Sequence, residues 1–146
     1  TNVENIKGGA WVLGTAQLGE PSGGTPWAKI KAYQQLDQWF GHIPDFIITL
    51  DSVFLNTADP AQICALIEHE LYHCSIKKDD IGMPKLDRWG GATWEMRPHD
   101  VEEFTGVVGR YGAWKQALHE MKAAFDAEPL FGTVDLGGIC GACHGK

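Results

Sequence analysis

The stretch Ile67-Glu68-His69-Glu70-Leu71-Tyr72-His73-Cys74 carries the pattern His-Glu-x-x-His within a run that predicts a helix. On a helix of 3.6 residues per turn, side chains four residues apart lie on one face, so His69 and His73 can direct ring nitrogens at one cation. Imidazole nitrogens are favoured ligands of zinc. Glu70, between the two histidines, can reach a water beside the ion and accept its proton, which is the role of a general base. The pattern therefore predicts a zinc site with a catalytic glutamate.

The helix that carries this pattern has a well-marked predicted start. Asp59 can cap it, Pro60 suits its first turn, and Gln62 follows the cap by three residues, as in a capping box. The apolar residues that follow recur at helical spacing and predict a buried stripe, which leaves the histidines and Glu70 facing a cleft. The predicted stripe consists of Ile63, Leu66, Ile67, Leu71 and Cys74.

The elements around the motif helix predict an α+β fold. Residues 10–17 and 46–50 have the apolar, β-branched and aromatic side chains of strands, and short extended pieces are predicted at 53–55 and 92–96. Thr25 as a cap, Pro26 at the first helical position and the apolar spacing that follows predict a helix that closes at Gly41. We therefore expect a small domain with a mostly antiparallel sheet packed on the motif helix.

The second half of the chain predicts a long loop and then a helical region. Glycine, proline and charged residues interrupt any period in residues 77–98, which favours either a segment that covers substrate or solvated scaffold. Helical spacing is predicted from His99 to about residue 128. Three glycines, the last of them Gly112, weaken this pattern, so we expect a break or kink at Gly112.

A catalytic zinc ion usually has three protein ligands, so the motif needs one more. His99, Glu102 and Glu103 could all face one cleft if the second helix begins at His99. His99 is the preferred third ligand, with Glu103 as the alternative. If His99 binds the metal, Glu102 or Glu103 could instead accept a proton from a ligand histidine, and Asp100 could cap the helix.

Length and charge limit the possible partners. The chain has 146 residues, which suits a single domain over residues 1–146. Its net charge is -7 and its twelve basic residues are not clustered, so neither nucleic acid nor an anionic membrane is an expected partner. No apolar run approaches the length of a membrane-spanning helix. The four cysteines form no recognisable disulfide framework, which favours a cytoplasmic location.

Residues 129–146 form a glycine-rich tail that contains Cys140-Gly141-Ala142-Cys143-His144. This sequence has the form of a haem c attachment site, but no signal segment and no haem pocket accompany it. Cys140, Cys143 and His144 are a possible second metal site, and they offer at most three of the four ligands that structural zinc requires. The alternatives are a tail without a resident metal or half of a zinc ribbon completed elsewhere.

Residues 66–74 and 99–104, followed by Arg110-Tyr111-Gly112-Ala113-Trp114, resemble the putative phage metallopeptidase family and, more distantly, the SprT-like zincins. The resemblance covers roughly residues 10–120. It implies a small zincin fold, a zinc ion held by His69, His73 and His99, and Glu70 as the hydrolytic glutamate. For a phage-derived protein, the expected location is the cytoplasm of the host cell.

These observations predict a zinc metallopeptidase that acts on a protein or peptide substrate. Two other functions share the same residues: a non-catalytic zinc-binding module that regulates or binds another molecule, and a zinc amidase that hydrolyses a non-peptide amide. The sequence indicates neither the cleavage preference nor the oligomeric state.

Overall fold

The computed structural model describes residues 1–130, 132–133, 135 and 139–140 and has the predicted α+β architecture. Its main sheet contains β1 (Ile6–Lys7), β2 (Ala10–Leu18), β3 (Phe46–Leu50) and β6 (Ile139–Cys140). β2 pairs antiparallel with β1 and β3 and parallel with β6. The glycine-rich tail thus contributes a short strand.

The centre of the fold is β2, whose middle residues are buried on both faces of the sheet. Val12, Gly14 and Ala16 lie on one face because strand side chains alternate, and Leu13 lies on the other. The face with Gly14 approaches α3 (Pro60–Tyr72), the helix that carries the motif. The buried apolar residues, Val12, Leu13, Ala16, Leu36, Leu66 and Leu118, include three from this strand.

Two helices begin as the sequence predicts. α1 (Pro26–Phe40) is capped by Thr25, whose hydroxyl accepts from the Ala28 amide, and it ends at Gly41 in the left-handed conformation. α3 begins with the full capping box: the Asp59 carboxylate accepts from the Gln62 amide, and the Gln62 side chain accepts from the Asp59 amide. Local hydrogen bonding therefore fixes the start of the motif helix.

Residues 53–55 are helical, and the prediction of an extended piece there was wrong. They lie in α2 (Ser52–Thr57), and the Asp51 carboxylate accepts a hydrogen bond from the Phe54 amide at 2.7 Å. Asp51 is a strong N-cap, and this contact outweighs the weak helix preference of the β-branched Val53.

The segment between the motif helix and His99 is more regular than predicted. β4 (Cys74–Ile76) pairs antiparallel with β5 (Trp94–Met96), which confirms the short strand expected near residues 92–96. Residues 77–92, here called the arm, project from this pair as two small loops closed by bridges at Lys78–Pro84 and Leu86–Ala92. Phe46 packs edge-on against Trp94, which joins the pair to the main sheet.

The helical region after His99 is divided and starts later than predicted. α4 (Thr105–Tyr111) ends at Gly112, which has a positive φ of 70°, and α5 (Gln116–Asp126) follows, so the expected break at Gly112 is confirmed. His99 and Glu103 precede α4 in a non-helical segment, and the prediction of a helix from His99 was wrong. Asp100 does not cap a helix; it pairs with Arg97.

No helix among the described residues is long and apolar enough to cross a membrane.

Candidate metal centre

The motif helix brings His69 and His73 to the same end of α3. His69 lies in its last turn, and His73 is the C-cap, where its backbone is still in the right-handed helical region at φ -72° and ψ -19°. His69 and His73, four residues apart, are therefore placed as on one continuous helix, and their ring centroids lie 5.1 Å apart.

The third imidazole comes from the segment that follows β5. The ring centroid of His99 lies 5.2 Å from that of His69 and 5.1 Å from that of His73. One nitrogen from each of the three rings lies within 4.8 Å of the other two. A strand pair and a non-helical segment thus place His99, rather than the helical face predicted from the sequence.

The histidine triad has dimensions that fit a tetrahedral metal ion. The Nε2 atoms of His69 and His99 lie 3.4 Å apart. Two imidazole nitrogens bound at 2.0–2.1 Å to a tetrahedral zinc ion are separated by about 3.3 Å. This pair can therefore bind one ion with little movement of either ring.

Two hydrogen bonds tie the second and third histidines together through Arg97. The Nδ1–H of His73 donates to the Arg97 carbonyl at 2.7 Å, and the Arg97 amide donates to the His73 carbonyl at 2.8 Å. Because a carbonyl only accepts, the first bond places the ring proton on Nδ1 and leaves the lone pair on Nε2, the arrangement typical of metal-binding histidines. His99 follows Arg97 by two residues, so this link also positions the third ring.

The local electrostatics favour a neutral ring at His69. Partial burial lowers the pKa of His69 below its usual value, and the neighbouring His73 and His99 lower it further. Both effects favour the neutral form of the His69 ring, whose lone pair metal binding requires.

Glu70 lies on the buried side of α3, and the predicted apolar stripe was wrong at Ile67 and Leu71, although Leu66 is buried as predicted. The exposed fraction is 0% for Glu70, 1% for Leu66 and 5% for His73, whereas Ile67 and Leu71 are exposed. The helix is rotated so that Glu70 packs against β2, where a built Cβ on Gly14 would lie 2.6 Å from Oε1. Gly14 therefore provides the room that the carboxylate occupies.

The other candidate ligands have different contacts. Glu103 accepts from the Phe104 amide at 2.9 Å and forms an ion pair with Lys115 at 3.3 Å. The Phe104 hydrogen bond, with a further contribution from Lys115, lowers the pKa of Glu103. Glu102 is exposed, and its carbonyl also accepts from Lys115. The structure does not bring either carboxylate into the histidine triad, which is the metal-compatible cluster among the described residues.

The histidines line a cleft of about 410 Å³ together with Tyr72, Arg97 and Met121 among others. Tyr72 and Arg97 also border a neighbouring cavity of about 310 Å³ beside Cys74 and Ser75 of β4. The Arg97 guanidinium lies 5.7 Å from the centre of the Tyr72 ring, and the two side chains border both spaces.

A model of the putative phage metallopeptidase family matches residues 5–124, which include the sheet, the motif helix and all three histidines. The chain belongs to the putative phage metallopeptidase family. Membership supports a metallopeptidase function in general and implies a metal ion. Comparison with curated proteins and with solved structures gives no match. The predicted more distant likeness to SprT-like zincins stays a prediction.

The sequence did not predict two residues that position the candidate site, Gly14 and Arg97. A glycine inside an apolar strand is a signal of close approach, but its partner was not identifiable before the fold was known. Arg97 contacts His73 through its backbone carbonyl and amide, and the type of side chain does not predict such contacts. Cys143 and His144 of the possible second metal site lie outside the described residues, and Cys140 is described only as a strand residue of β6.

Proposed function

We propose that the protein is a zinc metallopeptidase, with His69, His73 and His99 as the metal ligands and Glu70 as the general base. The observation that carries this proposal is the triad of imidazoles at metal-binding separation, two of them at the end of the helix that also carries a buried glutamate. Family membership supports the peptidase class.

The metal and Glu70 have separate tasks in the proposed reaction. When bound, zinc would polarise the substrate carbonyl and lower the pKa of a water molecule towards 7. The Glu70 carboxylate accepts the proton of the attacking water and then gives it to the leaving amine as the C–N bond breaks. The products are a carboxylic acid and an amine, which ionise to a carboxylate and an ammonium group, and Glu70 returns to its starting state.

The surroundings of Glu70 suit a base that must hold one position. Its side chain is removed from bulk water between α3 and β2, and Leu66 lies next to it on the same side of the helix. The Cys74 thiol is a poor competitor for the same chemistry, because burial raises its pKa and the negative charge of Glu70 raises it further.

The shape of the site favours an extended substrate over a small amide. The metal cleft and the neighbouring cavity, about 410 and 310 Å³, share Tyr72 and Arg97 in their linings. A polypeptide could place its scissile bond in the first space and an adjacent side chain in the second. This supports a peptidase over the non-peptide amidase.

The proposal is tested by Glu70→Gln in the zinc-loaded protein, with casein as an unfolded substrate. Glu70→Gln should keep zinc, because the three histidines are unchanged, and should lose hydrolysis, because the amide cannot accept the proton. The exposed Glu128 provides a matched control, and Glu128→Gln should retain parental activity. Absence of casein hydrolysis by the zinc-loaded parent would instead favour a non-catalytic zinc module.

A further inference from the structure

The arm between β4 and β5 is an internal repeat of an eight-residue unit. Residues 77–84 read Lys-Lys-Asp-Asp-Ile-Gly-Met-Pro, and residues 85–92 read Lys-Leu-Asp-Arg-Trp-Gly-Gly-Ala. The units share lysine, aspartate and glycine at their first, third and sixth positions, and each has a large apolar residue at its fifth. The structure shows that these shared residues fold in the same way.

Each loop of the arm is fixed by its own aspartate. Oδ1 of Asp79 accepts from the amides of Ile81 and Met83 at 3.0 and 2.9 Å. The equivalent atom of Asp87 accepts from the amides of Trp89 and Gly91, both at 2.8 Å. The sixth residues, Gly82 and Gly90, have φ values of 83° and 84°, which favour glycine.

A ring of three backbone hydrogen bonds joins the two loops to the strand pair below them. The Lys85 amide donates to the Lys77 carbonyl at 2.7 Å, the Thr93 amide to the Lys85 carbonyl at 3.0 Å, and the Lys77 amide to the Thr93 carbonyl at 2.8 Å. Main-chain and aspartate hydrogen bonds thus hold the arm in shape without a covering apolar core.

The arm presents apolar side chains to solvent from this ordered backbone. Every residue from 77 to 91 is exposed, and the fifth residues Ile81 and Trp89 are 83% and 76% exposed. Met83 and Leu86 are also more than half exposed. Ordered, exposed apolar side chains are typical of binding surfaces, because a rigid surface loses little entropy when a partner covers it.

The charge on the arm differs from that of the whole chain. Four of the twelve basic residues lie here, Lys77, Lys78, Lys85 and Arg88, in a protein with a net charge of -7. Asp79 and Asp87 direct an oxygen into their own loops, whereas the Arg88 guanidinium lies over the Trp89 ring at 3.8 Å. With the exposed Asp80 beside Ile81, the arm has four basic and three acidic residues and a net charge of +1, whereas the rest of the chain has a net charge of -8. The tip of its second loop, with Arg88 and Trp89, is apolar and basic, which complements a partner that is apolar and acidic.

The arm is attached directly to the histidine triad. β4 begins immediately after His73, and β5 ends three residues before His99. Strands of three residues span about 10 Å, so the junction of the arm lies within a few residues of an extended chain bound at the metal centre.

We propose that the arm is a docking surface for the polypeptide substrate, which it binds through a segment rich in acidic and apolar residues at a distance from the scissile bond. This rests on the proposed peptidase function and assigns its substrate class: an unfolded, acidic polypeptide long enough to reach from the metal centre to Ile81 and Trp89. A short peptide that spans only the cleft makes no contact with these two side chains.

The test separates docking from hydrolysis by using the full chain with Glu70→Gln. Its affinity for a fluorescent, unstructured peptide rich in glutamate and leucine is measured by anisotropy. We expect binding that weakens about tenfold or more with Ile81→Ser and Trp89→Ser combined, since two apolar contacts are lost. Trp27→Ser is the matched control, because Trp27 is 75% exposed on α1, and it should bind like the parent.

Several results would overturn the docking role. We call the protein with both Ile81→Ser and Trp89→Ser the tip variant. The docking role is wrong if the tip variant binds the peptide as tightly as the parent, or if Trp27→Ser weakens binding equally. It is also wrong if the parent has equal affinity for a peptide with lysine in place of glutamate. A change in sedimentation of the tip variant would assign the arm to a second copy of the chain, and binding to anionic vesicles but not to the peptide would assign it to a membrane. If the double variant does not fold, Ile81→Ser and Trp89→Ser are each tested alone in the same binding assay.

In the active protein, the same two substitutions should raise KM for casein and leave kcat unchanged, whereas turnover of a short peptide should not change. A fall in kcat instead would contradict a role in docking. If the parent hydrolyses nothing but the Glu70→Gln protein still binds the acidic peptide through Ile81 and Trp89, the peptidase proposal fails and the binding surface remains.

Discussion

Gly14→Ala tests whether β2 sets the position of Glu70. The added methyl group would lie 2.6 Å from Oε1 and 3.1 Å from Cδ1 of Leu66, so the carboxylate must move by about 0.8 Å to reach an ordinary contact of 3.4 Å. Overpacking of this kind in a buried site costs roughly 1–3 kcal/mol. We therefore expect the melting temperature to fall by about 4–8 °C for a loss of about 2 kcal/mol.

Activity should suffer more than stability from this substitution. A displacement of about 1 Å in a catalytic group can reduce the rate about 100-fold, so kcat for casein should fall while zinc stoichiometry is kept. The metal ligands lie on other side chains, which is why binding of the ion is a separate readout. The Gly14→Ala protein should therefore contain zinc, fold and hydrolyse poorly.

A double-mutant cycle with Glu70→Ala identifies the cause. Removal of the carboxylate takes away two of the three atoms nearest to the added methyl group, so Gly14→Ala should cost less in the Glu70→Ala background. Gly106→Ala is the matched control, because no atom lies within 4 Å of a Cβ built there, and it should stabilise α4 by about 0.5–1 kcal/mol. The reasoning is refuted if Gly14→Ala is harmless or if its cost is the same with and without Glu70.

Three further predictions follow from local contacts. Folding lowers the pKa of His69, so the unfolded metal-free chain binds a proton at this ring at higher pH than the folded one. The stability of the metal-free protein should therefore fall as pH drops below about 6.5. In thermal melts, the melting temperature of His69→Asn should depend less on pH. Asp87→Ala should accelerate hydrogen exchange at the amides of Trp89 and Gly91, whereas Asp87→Asn, which keeps an acceptor oxygen, should largely preserve their protection. Asp59→Ala should cost about 1 kcal/mol in denaturant unfolding, and Asp59→Asn much less, because asparagine also caps helices.

Local sequence signals predicted the elements that local contacts determine. The capping box of Asp59 and Gln62, the Thr25 cap and the break at Gly112 are interactions between residues close in sequence, and the structure confirms each. The histidine spacing on α3 is equally local. The fold class and the histidine pair could therefore be predicted from the sequence.

The predictions from the sequence were wrong where contacts between residues far apart in the chain determine the structure. Ile67 and Leu71 are apolar and match a helical stripe, but the helix packs on β2 through Leu66 and Glu70 instead, and nothing in α3 itself reveals this rotation. The position of His99 depends on the pairing of β4 with β5 and on the Arg97 backbone, both non-local. The sequence pattern predicted a long loop in place of the arm, because the arm is ordered by aspartate and main-chain hydrogen bonds rather than by packing of periodic apolar residues.

The most direct test of the account is anomalous diffraction above and below the zinc absorption edge from crystals grown with zinc, combined with zinc stoichiometry in solution. We predict one ion per chain at the histidine triad, with ring nitrogens of His69, His73 and His99 at about 2.0–2.1 Å. Absence of an anomalous peak between these three rings, or coordination by Glu103 in place of His99, would contradict the proposed centre.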